Sequence, residues 1–182
     1  MRIAMKSISF IVTALFVSHS FAVDMSYIKD EFSTAEDHIM TKTGAFIAQD
    51  GFDNFAVIDQ AGARTGNFSS IDQVGSGNNA IAFQRGEANY ISIQQFGNNN
   101  DAVARQTGDM NSIKLQQNQN FNEFTGVQQG NNNLFNVVQN GGSNVNLQTI
   151  GNSNTITADM PAGVNYQINV TGDNVKASSV GR

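Results

Sequence analysis

Cysteine and tryptophan are absent from the 182 residues, proline occurs once, and charged residues make up only 14% of the chain. Without cysteine there is no disulfide framework, no thiolate zinc site and no cysteine nucleophile. Histidine is scarce too. Of His19 and His38, the first falls in a segment expected to be cleaved, and one imidazole supports neither a multi-histidine metal site nor a His-dependent catalytic triad. Clustered Lys and Arg are missing, and the formal net charge is -5 with a pI of about 4.8, so no nucleic acid is expected as a partner. Long apolar runs are missing as well: none reaches the roughly 20 residues that a membrane-spanning helix needs.

Uncharged amides fill the gap. There are about 24 Asn and about 15 Gln, none of them before Gln49, so the first quarter of the chain differs in composition from the rest. Arg2 and Lys6 precede a mostly apolar stretch from Ile8 to Val17, and Ser20-Phe21-Ala22 offers small residues at a cleavage position, which predicts an export signal over residues 1–22. Its removal would take the formal charge from -5 to about -7. Residues 23–42 contain no Gly or Pro, and a short helix and a solvated tail both fit them; the segment is read as a targeting or flexible one.

The rest of the chain is governed by a repeat. Asn67, Asn78, Asn89, Asn100, Asn111, Asn122, Asn133 and Asn144 recur about every eleven residues, a signature of stacked architectures. Six positions after the Asn comes Gln73, Gln84, Gln95, Gln106, Gln117, Gln128 and Gln139, and two further on come Gly75, Gly86, Gly97, Gly108, Gly130 and Gly141, with Gln119 in place of Gly once. An earlier copy runs Asn54, Gln60, Gly62 and has a longer arc after it; Thr43, Gln49 and Gly51 form a still earlier one.

Between Asn and Gln the residues alternate, as in Asn89-Tyr90-Ile91-Ser92-Ile93-Gln94-Gln95, the period of a strand with one buried face. The Gly-rich residues after each Gln supply a tight arc. If the Asn, the second, the fourth and the Gln positions point inward, they should exclude ionised groups, and they do. Asp59, Asp72, Asp101, Arg105, Lys114 and Glu123 take the opposite face, while Arg64, Arg85, Glu87 and Asp109 fall in arcs. A right-handed coiled coil also has an eleven-residue period, but regular Gly and scarce Leu exclude it. Inward size alternates over two units: Ala80/Ala82, Ile91/Ile93, Ala102/Ala104, Ile113/Leu115, then Phe124/Gly126 and Phe135/Val137. Two units therefore make one rung of a flattened all-β solenoid in which large faces small.

The expected architecture is a cross-β stack of about five strand-turn-strand-turn rungs, starting near Thr43, Asn67, Asn89, Asn111 and Asn133, with the repeat domain over residues 43–153. Its core is Ile58, Ile71, Ile91, Ile93, Ile113, Leu115, Phe124, Phe135 and Val137. Its amide ladders are Asn54, Gln60, Asn67, Gln73, Asn78, Gln84, Asn89, Gln95, Asn100, Gln106, Asn111, Gln117, Asn122, Gln128, Asn133 and Gln139, with arc glycines at 62, 75, 86, 97, 108, 130 and 141. After Asn144 the repeat degrades: Gly151 comes one residue early, Asn154 is off register and Met160-Pro161 ends a unit. Residues 154–182 are read as a degenerate C-terminal repeat or tail, with Asn165, Tyr166, Ile168, Val170 and Gly172 in a last, altered strand.

Motifs for chemistry are weak. Gly75-Ser76-Gly77-Asn78-Asn79-Ala80 fits a dinucleotide loop formally, but a strand comes after it where a helix should. Asp50-Gly51-Phe52-Asp53-Asn54 and Gly108-Asp109 lack the acidic density of a calcium loop. Asp59 and Asp72 hold one position in successive units, hence opposite sheets, which does not suggest a two-carboxylate glycosidase. No enzyme, metal or cofactor is expected. An ice-binding solenoid would want a flat Thr array, and the outward positions are mixed.

Units of the form Asn-x5-Gln-x-Gly-x2-Asn-x5-Gln, from Asn67 to Gln84 and again from Asn89 to Gln106, resemble the repeats of curlins, the subunits of bacterial curli fibres, over about Thr43 to Ser153. The resemblance implies export, passage through the curli secretion pore with its accessory proteins, and assembly outside the cell, with itself and other curlin-type subunits, into a cross-β amyloid of biofilm matrix and adhesion. Residues 23–42, the run from Asn54 to Gly62 and the degraded end look more like the minor, nucleating subunit, which acts at the cell surface. The regular middle rungs look like the major one. The other class of function is a monomeric solenoid that binds a surface or carbohydrate through outward Phe55, Phe68, Phe83, Tyr90 and Phe96.

Overall fold

The computed structural model describes residues 10–13, 43–61 and 66–180. The expected export signal apart from residues 10–13, the segment 23–42, Gly62 and Arg64 lie outside the described residues. Alternating sequence gives strands throughout: β1 (Phe10–Thr13), β2 (Gly44–Phe52), β3 (Phe55–Ala61), β4 (Phe68–Ser76), β5 (Asn79–Arg85), β6 (Tyr90–Phe96), β7 (Asp101–Thr107), β8 (Ser112–Asn118), β9 (Glu123–Gln129), β10 (Leu134–Asn140), β11 (Asn144–Ile150), β12 (Thr155–Met160), β13 (Asn165–Thr171) and β14 (Lys176–Val180). Because each arc reverses the chain, successive strands fall in opposite sheets, and the described residues form two seven-stranded sheets, ordered β1-β3-β5-β7-β9-β11-β13 and β14-β12-β10-β8-β6-β4-β2. All neighbours within a sheet run parallel, as stacking of like on like requires, except β1, which lies antiparallel on β3.

The fold is the all-β solenoid expected from the sequence, with about six turns where five were expected. The difference lies in where a missing residue falls. Equivalent residues are 24 apart at Gln60 and Gln84, 22 apart at Gln84 and Gln106, and 21 apart at Asn133 and Asn154. The lost residue is in the short arc Gly141-Gly142-Ser143 between β10 and β11, so the strands beyond it stay in phase. Ser143 takes the inward position and is buried, while Asn144 begins β11 facing out and donates to Glu123. Asn154 is then in register, fully buried beneath Asn133, and β12, β13 and β14 continue the stack. Pro161 falls just past the last paired residue of β12.

Inside, size complementarity holds across the two sheets. Ile91 and Ile93 of β6 and Ile113 and Leu115 of β8 are buried, and so are the alanine pairs of β5 and β7 in the facing sheet. Ile58, Ile71, Phe135 and Val137 belong to the same cluster. Phe124 does not break the pattern by volume, because its ring folds over Gly126: a Cβ built on Gly126 would stand 2.5 Å from Phe124 Cζ. Beyond that rung the sheets exchange roles, with Val145 and Leu147 on one side and Ile156 and Ala158 on the other. Such a thin interior has no slack, since native cores are packed to crystal density. Arg85, expected in an arc, ends β5 and reaches Asp59 with paired bonds of 3.1 and 2.9 Å.

Two substitutions test this packing. Gly126→Ala should destabilise by about 1–3 kcal/mol through overpacking against Phe124. Gly108→Ala should cost at least as much, because its φ is +111° and its Cβ would lie 2.1 Å from the Gly130 carbonyl oxygen of the next rung. Denaturant unfolding of both variants against the unsubstituted chain is the check; wild-type midpoints would contradict the packing described.

Candidate assembly site: stacked amides and sheet edges

The inward Asn and Gln stand at strand starts and ends, where period-two alternation aims them at the core, and every one from Asn54 to Gln139 in the ladder series is buried. A buried primary amide has two donors and an acceptor to satisfy. The stack does this twice, in opposite directions. In the glutamine columns the earlier rung donates to the later: Gln60 Nε2 to Gln84 Oε1 at 2.7 Å, Gln84 to Gln106 at 3.0 Å and Gln106 to Gln128 at 2.9 Å. On the facing sheet Gln49, Gln73, Gln95, Gln117 and Gln139 are joined in the same sense. The second Nε2 hydrogen crosses the interior to a main-chain carbonyl of the other sheet, as from Gln84 to Phe68, Gln95 to Asn79 and Gln106 to Tyr90. Each glutamine therefore ties rung to rung and sheet to sheet.

The asparagine columns run the other way. Asn78, Asn100 and Asn122 each donate both main-chain N–H and Nδ2 to the Oδ1 of the Asn one rung earlier, the first being Asn54. Asn89, Asn111 and Asn133 do the same from Asn67. Their remaining Nδ2 hydrogens go to arc carbonyls, such as Asn78 to Gly97 and Asn89 to Gly108. The arc glycines Gly75, Gly86, Gly97, Gly108 and Gly130 all have positive φ and lie under the carbonyl of the next arc, whereas Gly141 faces the Gln119 side chain.

Two features were not foreseen from the sequence. Ser69 is buried in β4 and its hydroxyl donates to Gln84 Oε1 at 3.0 Å; counting alternation from Asn67 would have placed it inward. A further ladder runs along the arcs, where the residue after the arc glycine accepts a main-chain N–H from the rung before: Asp109 from Glu87, Asn131 from Asp109, Asn152 from Asn131 and Asp173 from Asn152. Its signal was the recurring Gly-Asn or Gly-Asp pair. Asp109 thus holds an arc.

The outward faces are less ordered. Phe68 and Tyr90 stack with centroids 5.5 Å apart on one sheet, and Arg105 covers Phe83 at 4.7 Å on the other. The five outward aromatics are split between sheets, with Phe55 and Phe83 on one side and Phe68, Tyr90 and Phe96 on the other, so they form no single platform. Asp59 and Asp72 likewise lie on opposite sheets. Among the described residues no three His, Asp or Glu side chains are grouped to hold a metal ion. Burial raises the Asp72 pKa above its ordinary value, and the Asp59 hydrogen bond raises that of Arg85.

The inward and outward faces should respond differently. Gln95→Leu leaves Gln117 Oε1 without its donor and removes the acceptor of Gln73, at about 1–3 kcal/mol for each unsatisfied group. Ser92→Ala and Arg85→Ala should change stability by no more than about 0.5–1 kcal/mol. Equal losses at Ser92 and Gln95 would contradict the assignment of faces. Because the folded state holds the Asp72 proton more tightly than the unfolded chain, its contribution is full below the unfolded pKa and is lost as pH rises through the folded one. Asp72→Asn should remove that part of the stability–pH slope, measured by unfolding across the acid range.

Residues 86–118 match the family model of the curlin associated repeat. That stretch holds β6, β7 and β8 and the ladder residues Asn89, Gln95, Asn100, Gln106, Asn111 and Gln117, all in the regular 22-residue register. Comparison with curated proteins finds none that matches. Over this stretch the chain is similar to a curlin repeat, and its solenoid fold and stacked amides fit a curli-type amyloid subunit.

Proposed function

We propose that the chain is exported and polymerises outside the cell as a subunit of curli-type amyloid fibres, in the minor, nucleating role. The observation that carries this reading is that the glutamine columns run on to β2, an edge strand among the described residues, and to β3, which is covered only by β1 of the expected export signal and would become an edge once that signal is cleaved. An uncapped edge with free backbone groups and in-register amides templates another strand at about 4.7–4.8 Å. The curlin repeat match over residues 86–118 supports the same reading. In this account residues 1–22 direct export, residues 23–42 engage the secretion pore or its accessory proteins, and the rungs from residue 43 assemble with curlin-type subunits. Catalysis has no part in it. The nucleating role rests on the last rungs, where Thr149 and Met160 stand in the glutamine columns and the stack departs from the regular repeat. The split aromatics give a carbohydrate platform little support.

The chain from Val23 onward should convert to fibres with cross-β diffraction, whereas lasting solubility as a monomer at high concentration would favour a binding module. Truncation after Ser153 leaves five rungs, β2 to β11, and should preserve polymerisation while releasing fibre from cells into the medium. Unchanged cell-bound fibre mass would remove the anchoring role and favour a major subunit.

A further inference from the structure

The two ends of the stack differ in chemistry. Every bond between column glutamines runs from an earlier Nε2 to a later Oε1, so each column Oε1 faces the rung before it. Before the first rung the described residues hold no further rung, only β1 on β3. Gln60 is 2% exposed, and among the described residues its Oε1 has no hydrogen-bond partner. Gln49 of β2, the edge strand of the other sheet among the described residues, has the same orientation, since its Nε2 goes to Gln73. This end therefore offers two acceptors, one already buried.

Toward Val180 the opposite holds. Thr149 comes after Gln128 in its column and has a buried hydroxyl with no partner among the described residues, and Val170 comes after Thr149. In the other column Met160 comes after Gln139. The asparagine columns end in Val164 and Val175, each a rung after Ser143 and Asn154. The last described rungs thus carry no inward glutamine donor, and Val164, Tyr166, Ile168 and Ala177 pack on the core there.

Resting on the polymerisation reading, we propose that the β2–β3 end is a docking face for the final rung of a different curlin-type chain, one that keeps Gln in both columns at its own C-terminal end. Such a rung supplies two Nε2 donors to Gln49 and Gln60 and an Asn Oδ1 to the Asn54 N–H. A second copy of this chain, arriving with β13 and β14 and hence with Val164, Val170 and Val175 at the column positions, supplies none of these and buries the acceptors against apolar side chains, a loss that slows its addition. The chain therefore starts a fibre of another subunit faster than it adds a copy of itself by head-to-tail addition. β1 lies on the β3 edge, and cleavage after Ala22 would remove it.

The test immobilises the chain from Val23 onward by a tag at its C-terminus and measures mass growth from two soluble probes at equal concentration. One probe is a second copy of the chain; the other is five tandem copies of its residues 89–110, whose every rung keeps Asn89, Gln95, Asn100 and Gln106 equivalents. The tandem probe should add at least ten-fold faster. The gain should vanish on surfaces carrying Gln49→Leu with Gln60→Leu, and with a globular domain fused to the C-terminus of the probe, but survive fusion at its N-terminus. Circular dichroism of each variant checks that it is folded, and blocking the probe serves as a control that leaves the immobilised chain unaltered. Equal growth from both probes overturns the proposal while leaving polymerisation standing; so does a gain blocked by the N-terminal fusion alone. Growth from neither probe overturns both.

Discussion

A primary amide in a dry interior fixes this molecule. It needs partners for two donors and an acceptor, and the neighbouring rung is the only place where an identical amide lies at hydrogen-bond distance. Once Gln84 donates to Gln106 and Asn100 to Asn78, the spacing, direction and register of their strands are set together. A slip of one residue would put outward groups such as Asp101 or Arg105 inside. The ladder thus selects the parallel pairing that distinguishes this fold from a meander of hairpins.

Other properties of the chain derive from that spacing. Strands about 4.8 Å apart leave no room for a Cβ where one arc passes under the next, which is why glycine recurs there. A thin interior between two sheets must be filled by complementary sizes, and Phe124 with Gly126 solves the same volume problem as an isoleucine pair facing alanines. Charge is confined to the outer faces and arcs, and Asp59 and Arg85 meet in solvent and contribute little to stability.

Much of the fold was legible because alternation and the eleven-residue spacing are redundant: Ile91, Ile93 and Gln95 are each fixed by neighbours on both sides. The one-residue loss near Asn144 was not, because a deletion in a Gly-rich arc leaves two ways to resume the count, and the Asn next to Ser143 drew the count to the wrong residue. Burial decides for Ser143, since Asn144 can reach Glu123 only from the outer face. The arc ladder through Asp109 and Asn131 was hidden because Asn and Asp after Gly have a sufficient local explanation as turn residues. The polarity of the ends could not be read from residue types, as it depends on which way each amide is turned.

The most direct measurement of the central claim is residue-resolved hydrogen exchange of the side-chain amides. In the folded chain the Nε2 protons of Gln84, Gln95 and Gln106 should be protected as strongly as the strand N–H groups around them, while those of outward Gln94, Gln129 and Asn146 should exchange at the rate of free amides. Rapid exchange of the inward glutamines alongside protected strand amides would show that the ladders do not hold the stack together.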